Sequence, residues 1–129
     1  MRRDVVEDCG ALINPAVVDG QIPGGIAQGI GIALYEDAAY DGEGNHVAST
    51  FMDYLLPTAM EIPSVTIEHL ESEPLHEVAY RGVGEGGTIA ARAAVVNAVR
   101  DAIGGVPARN IRLPLTPERV LELIDGTNE

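Results

Sequence analysis

The apolar positions of this chain change period several times, and each change marks an element. "DVVED" (4–8) has the β-branched content of a short strand. In "IPGGIAQGIGIALYEDA", Ile22, Ile26, Ile30 and Leu34 recur every fourth residue, which predicts a helix with one apolar stripe and Pro23 in its first turn. The stretch before it carries turn chemistry at Asn14-Pro15 and Asp19-Gly20. Gly25 and Gly29 lie four apart on the helix, each costing roughly 1 kcal/mol relative to alanine. Close approach of another backbone or of a ligand would offset that cost. Residues 38–49 predict a hairpin around a turn rich in Gly, Asp and Asn, and 51–64 an irregular or briefly helical stretch punctuated by Pro57 and Pro63. "VTIEHLES" (65–72) alternates imperfectly and reads as a strand.

Thr88 is placed to cap a second helix to about Ile103, with Ile89, Ala93, Val96, Ala98, Val99 and Ile103 filling much of it and Gly104-Gly105 ending it. "NIRLPL" (110–115) reads as a last strand. Thr116, Pro117 and Glu118 then supply the cap, first-turn proline and first-turn acid of a final helix through Ile124. The expected class is α+β, mixed short strands with about three helices, without the regular alternation of a parallel sheet. A length of 129 residues suits one domain or part of one, residues 1–129, with no internal repeat or linker.

Charge narrows the partners. Twenty acids face eight bases, all of them arginine, and the formal charge of -12 disfavours nucleic acid and anionic membrane. The longest apolar stretch, 22–34, is too short to span a bilayer and contains Gln28. No basic start followed by an apolar run suggests a signal peptide, so a cytoplasmic protein is the expectation. The single cysteine, Cys9, reads as a small buried residue. His69 and His76 lie among acids, but their spacing matches no zinc pattern, and no protein-ligated metal is expected. Gln21 and Gln28 could each bond a ligand amide or bridge neighbouring backbone.

"RGVGEGGTIAARAAVVNAV" (81–99) contains Gly82-Val-Gly84-Glu-Gly-Gly87, which matches G-x-G-x-x-G. A dinucleotide loop needs a buried strand before it and no negative charge facing a pyrophosphate. Here "HEVAY" is short and polar at its start, Glu85 sits inside the loop, and only 42 residues follow Gly87. Alternatively, the glycines let the backbone pass close to a bound group while projecting Glu85, whose carboxylate could act as a general base. On the residues alone, an acid favoured near a helix start is the simpler account.

Four stretches in this order, "DCGALINPAVVDGQIPGGIAQGIGIALYED", "FMDYLLPTAMEIPS", "RGVGEGGTIAARAAVVNAV" and "LPLTPERV", resemble the C-terminal end of the large subunit of the molybdenum hydroxylases. That family includes xanthine dehydrogenase, aldehyde oxidase and aerobic carbon monoxide dehydrogenase. The resemblance covers about residues 4–124. It implies that Glu85 is the general base, taking a proton from the hydroxyl or water-derived ligand on molybdenum so that the oxygen can attack an electron-poor carbon. It implies that Val83 and Gly84 lie against the cofactor and that Gln21 hydrogen-bonds near the pterin. The implied cofactor is molybdenum held by a pterin dithiolene, often extended as the cytosine dinucleotide. The implied partners are the remainder of the molybdenum-binding subunit and subunits or domains carrying iron–sulfur clusters and FAD; Cys9 alone could hold no cluster. Many relatives have Lys where this chain has Arg81, and family subunits are several times longer. The expectation is therefore a C-terminal segment that forms one wall of an active site, binds no cofactor tightly by itself, and tends to self-associate. The competing expectation is a non-catalytic interaction module of the same fold.

Overall fold

The computed structural model describes residues 3–74, 77–105 and 111–126. Five elements follow in order: β1 (Arg3–Glu7), α1 (Pro15–Leu34), β2 (Val65–His69), α2 (Gly86–Ala102) and α3 (Pro117–Asp125). The class is α+β, as the patterning predicts. β1 and β2 pair in parallel, Val5 opposite Ile67, in a two-stranded sheet. A parallel pair needs a crossover between its strands, and α1 lies in that connection.

α1 begins earlier than its apolar stripe suggests. Asn14 is its N-cap, the side chain accepting from Val17 N–H, and Pro15 occupies the first turn. Asp19-Gly20 is thus helical, not a turn, and Pro23 lies inside the helix, where it contributes no N–H to the ladder. Packing explains why the helix survives these residues. Ile22, Ile26, Ile30 and Ala33 are buried and form the centre of the core with Cys9, Val18, Ala91 and Val95.

α1 packs on α2, and the small residues decide how closely. A Cβ at Gly25 would come within 2.9 Å of Thr88 N, and one at Gly29 within 2.5 Å of Ala91 Cβ. A Cβ at Gly87 would collide with the carbonyl oxygen of Ile22. The Thr88 hydroxyl donates to the Gly25 carbonyl at 3.0 Å and lies 3.3 Å from Gln28 Oε1. Another backbone is therefore what Gly25 and Gly29 admit, and Gln28 reaches across to its neighbouring helix.

Other boundaries shift too. α2 starts before Thr88, and its buried residues are Gly87, Ala91 and Val95; Ile89, expected inside, is 71% exposed. Gly104 and Gly105, both at positive φ, follow its end as predicted. Only Tyr40 and His46 bridge in the expected hairpin, whose turn is held by Asp41 accepting from the N–H groups of Glu43 and Asn45. Residues 51–64 are irregular, and Tyr54 donates to Glu36 Oε2 at 2.6 Å.

β2 ends at His69, short of the expected residue 72. Of the expected strand at 110–115, residue 110 lies outside the described residues and 111–115 form no strand. Thr116 caps α3 as predicted, and Arg119 fastens it by an ion pair to Asp37 at 2.9 Å and a bond to the Pro114 carbonyl.

Candidate functional site

The segment carrying Glu85 hangs between two anchors. Upstream, residues 79–81 run beside 9–11: Ala11 N–H donates to the Ala79 carbonyl and Arg81 N–H to that of Cys9, each at 2.8 Å. Gly10 has φ +66°, and a Cβ there would overlap the Ala79 oxygen, so the approach requires glycine on both counts. Downstream, α2 begins at Gly86 and is locked to α1 through Gly87 and Thr88. Glu85 occupies the N-cap position of α2 but makes no side-chain cap bond, and it is exposed.

The other expected site residues fall around it. Val83 is half-buried and packs against the core, pinning the middle of the segment. Gly84 is exposed, and neither it nor Gly82 has any atom within 4 Å of where a Cβ would stand. Gln21 is exposed on α1, next to Ile22, whose carbonyl touches Gly87. The fold thus brings Gln21 and Glu85 to the same helix–helix contact, one residue and two residues from it. Gly20 and Gly24, flanking Gln21 on α1, also face open space.

Sequence reasoning missed the charged group that holds the upstream anchor. Arg81 Nη1 lies 2.5 Å from Asp8 Oδ1, Arg81 Nη2 donates to Ser72 Oγ at 2.9 Å, and Ser72 Oγ donates to Asp8 Oδ2 at 2.6 Å. The bond from Ser72 above all, then those from Arg81 and Gly10 N–H, hold the Asp8 carboxyl down at about 2, against an opposing effect of desolvation.

His69 Nε2 lies 2.7 Å from Asp19 Oδ1, so the end of β2 is tied to α1; His76 lies outside the described residues. Among the described residues no group of three or more His, Cys, Asp or Glu is arranged to hold a metal ion. Cys9 is buried. No described helix is long and apolar enough to cross a membrane.

A cavity lies elsewhere. It is a groove of about 450 Å³ between β1 and α2, lined by Val5, Val6 and the alanines 90, 94 and 98 among others. None of Gln21, Val83, Gly84 or Glu85 lines it. The candidate site is an open surface, chemically able to present one carboxylate and one amide to something lying across it.

Residues 1–63 match the model of the molybdopterin cofactor-binding domain. The chain is 45% identical over 122 residues to the nicotine 6-hydroxylase large subunit of Paenarthrobacter nicotinovorans, covering 94% of this chain and 15% of that one. It is 35% identical to the carbon monoxide dehydrogenase large chain of Hydrogenophaga pseudoflava, covering 95% and 15%. Its fold superposes on quinoline 2-oxidoreductase from Pseudomonas putida 86 with a TM-score of 0.83 and 46% identity, over 95% of this chain and 16% of that one. The chain therefore spans about a sixth of the length of these relatives. In sequence and in fold, it belongs to the molybdenum hydroxylases and corresponds to a segment of their molybdopterin-binding large subunit.

Proposed function

We propose that this segment forms one wall of a molybdenum hydroxylase active site and supplies its general base, Glu85. The observation that supports this reading best is an exposed carboxylate at the head of α2, without a cap bond, beside a glycine segment whose surroundings are open. A general base must be free to reach its proton, and a capping carboxylate would be engaged with its own helix.

The residues suit a pterin-held molybdenum. Gln21 offers an exposed amide, and the backbone at Val83 and Gly84 is accessible beside an open face. Gln21, Val83 and Gly84 would hold the cofactor, as the pterin alone or extended as the cytosine dinucleotide. When bound, the group supplies the two-electron oxidation that places oxygen from water on an electron-poor carbon. Glu85 takes up, on a carboxylate oxygen, the proton which that water gives up. Gln21 donates its amide N–H to fix orientation, and Val83, packed into the core, keeps the segment from sagging toward the helices.

The partners in this reading are the rest of the molybdenum-binding subunit and components carrying iron–sulfur clusters and FAD, in the cytoplasm. The chain alone holds no cofactor tightly and turns over no substrate; molybdenum retained by the purified 129-residue chain would refute that. The test of the base is Glu85→Gln in the assembled enzyme. It should lower kcat by about 10²–10⁴-fold while molybdenum content and assembly stay unchanged. Near-normal turnover would leave the second reading, a non-catalytic interaction module, which the exposure of Phe51, Met52 and Met60 favours.

A further inference from the structure

The geometry points to Arg81 as a positioning residue: with Asp8 and Ser72 it forms a clamp that sets where the segment 82–85, and so the Glu85 carboxylate, lies. This rests on the reading of Glu85 as base, but the clamp itself is a matter of geometry. Arg81 is the last residue before the segment whose backbone is bonded to 9–11. Beyond it come Gly82 and Gly84, which have no steric neighbours to buttress them and the widest choice of backbone angles. A soft segment is aimed by its ends. The downstream end is fixed by the Gly87 and Thr88 contacts with α1, and the upstream end by Arg81.

The guanidinium suits this task because it engages several groups at once. One nitrogen meets Asp8 Oδ1 and lies 3.4 Å from the Asp8 carbonyl oxygen, while the other donates to Ser72 Oγ. Ser72 closes the ring by donating to the second Asp8 oxygen. A lysine ammonium could meet Asp8 but offers no rigid fork to span both partners. Asp8 in turn accepts from Gly10 N–H at 3.2 Å, so the clamp also steadies the 9–11 strip on which residues 79–81 lie.

The test is amide hydrogen exchange on the full 129-residue chain with Arg81→Met and Arg81→Lys. Exchange at 82–86 should quicken at least tenfold in Arg81→Met and by less in Arg81→Lys, with the α1 amides unchanged. Unchanged exchange at 82–86 in Arg81→Met overturns the proposal. Should Arg81→Met not fold, Asp8→Asn carries the same expectation and the same refutation. In the assembled enzyme Arg81→Met should lower kcat about tenfold, leave KM for the substrate within about twofold, and be partly rescued by Arg81→Lys; an unaltered kcat also counts against the clamp. Glu85→Gln serves as the separating control. If it retains turnover while Arg81→Met still loosens 82–86, the base assignment fails and the clamp stands.

Discussion

Asp8 shows how one side chain can make local geometry depend on pH. Its carboxyl titrates at about 2 in the fold, below its ordinary value of 3.8, chiefly because Ser72, and then Arg81, bond the ionised form. A depressed native value means that the unfolded chain takes up the proton first. The stabilisation is therefore complete above about pH 4 and is lost as pH falls toward 2. Wild type and Asp8→Asn should differ in denaturation midpoint at neutral pH, and the difference should shrink through that window; a gap that stays constant to pH 2 would rule Asp8 out as its source. None of this was legible in the sequence. Arg81 drew notice there only as a departure from lysine, because Asp8 lies 73 positions from it and Ser72 nine. Glu85 stood out in the sequence as a candidate, since glycines on both sides mark it locally. Its freedom from capping depends on φ and ψ that no spacing rule supplies.

At the scale of elements, the contact between α1 and α2 sets some glycines of α1 apart from others. Gly25 and Gly29 face α2, whereas Gly20 has nothing within 4 Å of a Cβ position. Gly20→Ala should raise the stability of the chain by up to ~1 kcal/mol through helix propensity. Gly87→Ala should lower it by ~1–3 kcal/mol, as overpacking against a backbone does, because the methyl group meets the Ile22 carbonyl. Urea midpoints of the two variants, moving in opposite directions, would check the sorting. The every-fourth-residue stripe of α1 was readable because its isoleucines dominate it. The buried face of α2 was not: it is made of Gly87, Ala91 and Val95, so the bulkier Ile89 drew the reading onto an exposed face. The start of α1 was missed for a related reason. Asn14-Pro15 is good cap chemistry, but Asp19-Gly20 and Pro23 argue locally for a break that packing overrides.

Across the molecule, the α+β class and the three helices were readable, and the parallel pairing of β1 with β2 was not, because it joins residues about 60 apart. Much apolar surface remains open, with Met52 and Met60 near 90% exposed and the β1–α2 groove unfilled. The net charge of -12 opposes coalescence of such surfaces at long range. The isolated chain should therefore self-associate more strongly as salt screens that repulsion, seen as rising weight-average mass in sedimentation; a monomer at every salt and protein concentration would contradict this.

The distance along the chain between α1 and its covering residues also bears on synthesis. The isoleucine stripe is finished by residue 34, but Ala91 and Val95, which cover it, come later. At ~5–20 residues per second that is ~3–12 s during which the ribosome presents a bare apolar helix. A nascent chain of this kind is a natural client for a holdase, and it would be most vulnerable to aggregation where translation pauses between residues 34 and 91.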